Sequence, residues 1–224
     1  MGGRVGLSAI CLFVGFSIGC GSSSGNSTGQ VRFLQASPNV PLVNVLVDGK
    51  SVSANLGYGH NTGYVSMKSG SRRVEFMPAS GGAAVLDQTI AVGSSSNQTL
   101  VATGSSSSAT GIVLADGGTT ATTGDGYVRV VNAASNMGIA DVYIVAAGIS
   151  IVGTKPAASG LGLNQSSSYQ LVVAGNFDVF FTTPGTTNVI LSTGPLSLTA
   201  STNETLVAYD DASGGSTYQV LTDQ

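Results

Sequence analysis

Val31-Arg32-Phe33-Leu34-Gln35-Ala36 returns 97 residues later as Val128-Arg129-Val130-Val131-Asn132-Ala133. Asn39 then falls with Asn136, and Val45 with Val142, at the same spacing. Asn97-Gln98-Thr99-Leu100-Val101-Ala102 comes back as Asn203-Glu204-Thr205-Leu206-Val207-Ala208, now 106 residues on. Val113-Leu114-Ala115-Asp116 matches Val220-Leu221-Thr222-Asp223. Self-similarity at a fixed period marks a repeated structural unit. The growth in spacing puts about nine extra residues inside the second copy.

Each copy reads as strands. Val43-Asn44-Val45-Leu46-Val47 alternates, and Asp48-Gly49 is a hairpin-turn pair. Tyr64–Met67 and Arg73–Met77 alternate as well. In the second copy Ser168–Val173 and Phe177–Thr182 flank a tight turn at Ala174-Gly175-Asn176. Between the copies, Gly117–Gly126 has no apolar periodicity and reads as a linker. No segment after residue 30 has the period of a long helix. Short strands with turn signals every ~8–12 residues predict an all-β chain of two tandem immunoglobulin-like β-sandwiches. The expected bounds are 31–116 and 127–224, with 117–126 as linker.

The first copy resembles the bacterial domain of unknown function 4397. Val31–Asn39 followed by Val43–Lys50 is similar to that family's pattern V-R-V-x-H-A-S-P-D-A-P, then V-D-V-Y-V-D-G. Tyr58-Gly59, Tyr64 and Gly70 suit it too. The second copy keeps Val128–Ala134 and Ala140–Ile144, with Ser135 in place of Pro and Val145-Ala146 in place of Asp-Gly. The family's His before Ala-Ser-Pro is Gln35 in one copy and Asn132 in the other. The resemblance implies an exported β-sandwich without an established activity.

The first residues carry an address. Arg4 precedes an apolar run, Val5–Ile18, of signal-peptide length and too short to span a bilayer. It closes on Ser17-Ile18-Gly19-Cys20, which resembles a bacterial lipobox. That resemblance implies a signal peptide over 1–19, a lipid on Cys20, and a flexible Gly/Ser tether over 20–30. The expected location is the cell envelope, anchored to a membrane through Cys20. Gly21 resembles the outer-membrane sorting pattern of Gram-negative cells. Ser17-x-Gly19 also fits ordinary signal cleavage, so the alternative is a secreted protein.

Composition narrows the function. Only 8% of residues are charged and the net charge is −3. No run of basic residues exceeds Arg72-Arg73, so the phosphate-neutralising stripe of a nucleic-acid binder is missing. Both cysteines, Cys11 and Cys20, precede the repeats, which leaves the body without disulfides or cysteine-ligated metals. His60 is the sole imidazole, and a triad or His-ligated metal would have to be built on it. We expect a solvent-facing loop histidine. Gly21-Ser22-Ser23-Ser24-Gly25 matches a nucleophile elbow formally but stands in the tether, outside the strand-to-helix turn that motif needs. Asp116, Asp125 and Asp210-Asp211 are candidates for a loop Ca²⁺ site, with solvated turn aspartates as the preferred reading. Asn97 and Asn203 read as turn-to-strand structure. Tyr58 and Tyr64 are candidate sugar-stacking rings, with packing preferred. No catalytic site, metal or cofactor is expected. The expectation is a non-catalytic envelope interaction or structural module with a protein or glycan partner. The alternatives are a glycan- or matrix-binding adhesin subunit and an enzyme centred on His60.

Overall fold

The computed structural model of the chain describes residues 27–105, 109–120 and 122–224. The expected signal peptide, Cys20 and the expected tether up to residue 26 lie outside the described residues. The rest is built from strands.

The first sandwich comprises β1 (Thr28–Gln35), β2 (Val43–Val47), β3 (Lys50–Leu56), β4 (His60–Lys68), β5 (Gly70–Pro78), β6 (Leu86–Val92), β7 (Asn97–Thr103) and β8 (Thr110–Asp116). One sheet has the order β4-β1-β7-β8, the other β3-β2-β5-β6. Alternation in β2 sends Val43, Val45 and Val47 inward. Asp48 and Gly49 then turn the chain with φ of 50° and 76°, the positive values a two-residue hairpin requires. Phe33 and Phe76 meet edge to face between the sheets, with centroids 6.2 Å apart.

The second sandwich comprises β9 (Asp125–Ala133), β10 (Ala140–Ala146), β11 (Ala158–Leu161), β12 (Gln165–Ser166), β13 (Gln170–Val173), β14 (Gly175–Thr182), β15 (Val189–Ser192), β16 (Leu196–Leu198), β17 (Asn203–Asp210) and β18 (Ser216–Asp223). One sheet runs β12-β9-β17-β18, with β13 beside β12 on β9. The other runs β11-β10-β14-β15, with β16 also on β14. Val128, Val130, Phe177, Phe181 and Leu206 fill this core. In both sandwiches the first strand pairs in parallel with a late one, Leu34 opposite Val101 and Val131 opposite Val207.

The first strands of the two sandwiches begin earlier than the expected bounds. β1 starts at Thr28, inside the expected tether, and β9 at Asp125, inside the expected linker.

The sandwiches are packed against each other through the outer faces of their first sheets. Leu34, Ala36, Val101 and Leu114 meet Val131, Ala133, Val207, Tyr209 and Leu221 in a third buried cluster. β1, β7, β9 and β17 are therefore covered on both faces. This explains why Leu34 and Val131, on the faces turned away from the two cores, are apolar and buried like the core-facing Val31, Phe33, Val128 and Val130. Each fully buried Val or Leu there contributes about 1.5–3 kcal/mol by leaving water.

Candidate functional site at the domain interface

Period-two geometry splits each central strand between two environments. On β1, Val31 and Phe33 enter the first core, while Arg32 and Leu34 face the other sandwich. On β9, Val128 and Val130 enter the second core, while Arg129 and Val131 face back. The two arginines are thus carried into the interface by the first strands of the two sandwiches.

Each arginine reaches across to the carboxylate that ends the other sandwich. Arg32 Nη2 donates to Asp223 Oδ1 at 2.6 Å and Arg32 Nη1 to Thr222 O at 2.8 Å. Arg129 Nη2 donates to Asp116 Oδ1 at 2.6 Å and Arg129 Nη1 to Ala115 O at 2.7 Å. Each also grips a threonine of its own sandwich: Arg32 Nε donates to Thr99 Oγ1 and Arg129 Nε to Thr205 Oγ1, both at 3.0 Å. Those hydroxyls donate in turn to Asp116 Oδ2 and Asp223 Oδ2. Tyr64 donates to Asp116 and Tyr169 to Asp223, at 2.8 and 2.7 Å. Each guanidinium lies over the ring of the tyrosine beside it, 4.7 Å from Tyr64 and 4.6 Å from Tyr169. The charged side chains are at most 6% exposed. Burial pushes the Tyr64 phenol well above its ordinary range, and the Tyr169 phenol up to about 12.

A buried charge is tolerated only when paired and hydrogen-bonded. Here every carboxylate oxygen has donors, so the cluster fixes two rigid bodies in one relative orientation. Asp116 is consequently not the solvated turn aspartate expected from Asp116-Gly117. Beside the cluster the same reciprocity recurs: Asn97, paired with Asp116, donates from Nδ2 to Gln224 O at 2.9 Å, and Asn203, paired with Asp223, donates from Nδ2 to Thr119 O at 3.0 Å.

At the opposite end lies a polar cleft of about 440 Å³ between Pro38-Asn39, Gly104-Ser105, Ser135-Asn136 and Asp210–Gly214. Asp210 is buried, again against the solvated expectation. It accepts from Ser135 N at 3.0 Å, Ser135 Oγ at 2.5 Å and Asn136 N at 2.8 Å. Asp211 Oδ1 caps its own turn, accepting from Ser213 N and Gly215 N. Asp125 accepts from Thr122 at 3.1 Å. These carboxylates are occupied with local structure. No group of three or more His, Cys, Asp or Glu among the described residues is arranged to hold a metal.

The remaining candidates are separate. His60 is exposed at the first position of β4 rather than in a loop, with Nδ1 2.9 Å from Tyr58 O. Tyr58 packs edge to face on Tyr209 and donates to Asp210 O, so it belongs to the interface. Tyr64 is consumed by Arg32 and Asp116. Among the described residues every Tyr and Phe is buried or half-buried. The Arg–Asp crossover went unread in the sequence. Its signal was the retention of Arg32 with Arg129, and Asp116 with Asp223, in strands with few other charges.

Residues 29–143 match the family described as Domain of unknown function (DUF4397). No curated protein matches the sequence. Three solved structures show weak likeness. A multi-modular glycogen-degrading pneumococcal virulence factor is 9% identical over 84% of this chain and 21% of its own, with a TM-score of 0.27. A family 26 carbohydrate-binding module from Eubacterium rectale is 14% identical over 86% of this chain and 96% of its own, with a TM-score of 0.25. A candidate cell adhesion protein from Bacteroides eggerthii is 9% identical over 89% of this chain and 96% of its own, with a TM-score of 0.24. At such scores these likenesses bear on no functional question. The family match, by contrast, covers just over half of the sequence, and the chain belongs to the domain of unknown function 4397 family.

Proposed function

We propose that this chain is a non-catalytic interaction module of the bacterial cell envelope, lipid-anchored through Cys20, whose body is two copies of the family's domain locked into one unit. The observation that carries the reading is the fate of the reactive side chains. Arg32, Arg129, Asp116, Asp223, Tyr64, Tyr169, Thr99 and Thr205 are gathered in one place, and there they hold each other. They weld two sandwiches instead of facing a substrate. What remains outside is dominated by Ser, Thr, Gly and Asn, with exposed apolar side chains concentrated on the second sandwich. Such a body suits presentation of a surface at a distance from a membrane. A glycan-binding role has no comparable support, because the candidate rings Tyr58 and Tyr64 are engaged at the interface, by Tyr209 and by Arg32 and Asp116.

Shaving intact cells with a non-permeant protease, followed by mass spectrometry of released and retained peptides, tests this reading. Release of peptides from 31–224 with a lipidated Cys20 peptide left on the cell is the expected result for a surface module. Protection until lysis moves the module inside the envelope. An unmodified Cys20 in the medium overturns the anchor.

A further inference from the structure

The two sandwiches meet through the same face, used twice. Residues that hold corresponding places in the two copies make corresponding contacts. Arg32 Nη1 donates to Thr222 O at 2.8 Å and Arg129 Nη1 to Ala115 O at 2.7 Å, and both crossing ion pairs are 2.6 Å long. The longer contacts inside each sandwich match as well, Arg32 to Asp116 at 3.7 Å and Arg129 to Asp223 at 3.8 Å. The apolar part follows the same rule. Leu34 corresponds to Val131, Val101 to Val207 and Leu114 to Leu221, and all are buried in one cluster. Gly117 and Gln224, each one place past the paired aspartate, lie against each other, so that a Cβ on Gly117 would come 2.7 Å from Gln224 O.

An interface in which residue i meets j while j meets i is isologous, the form taken by identical subunits about a two-fold axis. Here one chain supplies both sides. Each sandwich therefore carries the complete recognition set, an arginine that needs a neighbour's aspartate and an aspartate that needs a neighbour's arginine.

The symmetry breaks at Thr103, whose place in the second copy is held by Tyr209. Tyr209 takes the Tyr58 ring edge to face at 5.5 Å, while Thr103 Oγ1 donates to Ala133 O at 2.7 Å. With a first sandwich in place of the second, Tyr58 would face the smaller Thr103, and Ala36 would stand where Ala133 does. Such a pair loses the ring contact and keeps both ion pairs.

We infer that the mating face of the first sandwich also fits a second copy of itself from another chain, with Arg32 of each bonded to Asp116 of the other. In the intact chain the second sandwich holds that place, favoured by the high effective concentration that a shared polypeptide gives. Self-mating follows when the second sandwich is withdrawn. The inference is independent of the anchor.

Reversing the first face in the full chain, Arg32→Asp with Asp116→Arg, sets like charge against like at both crossings, while two reversed faces still match each other. The hydroxyls of Thr99 and Tyr64 can give or take a bond and suit either polarity. In sedimentation this variant should show twice the mass of the parent, and adding Arg129→Asp with Asp223→Arg should return it to a single chain. A reversed variant that stays single with native strand content overturns the proposal. The native face gives a second reading. A protease recognition sequence inserted after Thr120 of the full chain lets the sandwiches be cut apart and the second drawn off in mild denaturant. Returned to buffer, the first should be folded and paired, and Arg32→Ala should weaken the pair roughly a hundredfold. A first sandwich that is folded but single, or that neither folds nor pairs, overturns the proposal whatever the reversed variant does.

Discussion

Arg32 and Asp223 stand 191 residues apart in the chain and 2.6 Å apart in the fold. The guanidinium comes from the first strand of one sandwich and the carboxylate from the last strand of the other. Arg129 and Asp116 make the reciprocal contact at the same distance. Each arginine also lies within ion-pair distance of the aspartate of its own sandwich, Arg32 3.7 Å from Asp116 and Arg129 3.8 Å from Asp223. The four charges form one network, and its shortest contacts are the two that cross between the sandwiches.

Arg32→Ala should destabilise the protein by about 3–5 kcal/mol, since it leaves buried Asp223 with only the longer contact to Arg129, at 3.8 Å, and unbalances the four-charge network. Asp223→Ala should cost a similar amount. The double variant should cost clearly less than the sum, because no charge is then stranded. Urea unfolding of the four proteins measures this coupling. Additive losses would mean that the pair does not act as a unit. The exposed Arg73–Asp87 pair, at 2.6 Å, offers the contrast: Asp87→Asn should leave the midpoint unchanged, as solvent and salt screen such pairs.

Gly29 and Gly126 occupy corresponding places two residues before Val31 and Val128, and both are there for space. A Cβ on Gly29 would lie 2.4 Å from Gly93 O, and one on Gly126 2.8 Å from Thr202 O. The flanking backbone is bonded alike, Ser95 N to Thr28 O and Ser201 N to Asp125 O, each at 2.7 Å. Gly29→Ala and Gly126→Ala should each lower stability by about 1–3 kcal/mol through overpacking. A lowered thermal midpoint for both checks this, and an unchanged midpoint for either would show that its neighbour yields freely.

The strand pattern and the two-sandwich plan are legible in the sequence because they are local. Val43–Val47 alternates, Asp48-Gly49 turns, and the matched hexapeptides beginning at Val31 and Val128 occupy the same central position in their sheets. The interface is not local. Asp116 precedes Gly117, which is as good a turn signal as any exposed Asp-Gly, and nothing near it names Arg129 as its partner. Asp210 was equally opaque, since its donors lie on a loop 74 and 75 residues earlier. The unbroken apolar run Leu206-Val207-Ala208-Tyr209 was the available sign that both faces of that strand are covered.

Glu204 stands where the first copy has Gln98. The Gln98 amide donates to Ala91 O at 3.1 Å, a bond that a carboxylate cannot make. Glu204 Oε2 is buried without a partner among the described residues. Burial, and secondarily the charge of Asp223, raises its pKa above the usual carboxylate range. A raised folded value means that folding favours the proton, so the penalty is full at neutral pH. It fades as pH falls through the raised value toward 4.5. Glu204→Gln should therefore stabilise the protein at pH 7 by about 1–2 kcal/mol, with the gain vanishing near pH 4. Equal gains at both pH values would trace the effect to something other than the charge.

Tyr64 and Tyr169 set the alkaline limit. Burial comes first among the causes that hold both phenols protonated, reinforced by Asp116 for Tyr64 and by the hydrogen bond to Asp223 for Tyr169. Their folded pKa values lie above the ordinary 10.0, and Tyr169 reaches about 12. The unfolded chain thus loses these protons first. The stabilisation is complete below pH 10 and drains away as pH climbs through the folded values. Unfolding free energy measured from pH 9 to 12 should fall steeply, and ultraviolet tyrosinate absorbance should rise together with loss of structure. A Tyr64→Phe, Tyr169→Phe variant starts from lower stability, having lost two bonds to the carboxylates. Over the same interval its slope should nevertheless be shallower, because two of the linked protons are gone. A slope as steep as that of the parent would assign the alkaline transition to other tyrosines, among them Tyr58, whose phenol burial also lifts to about 12.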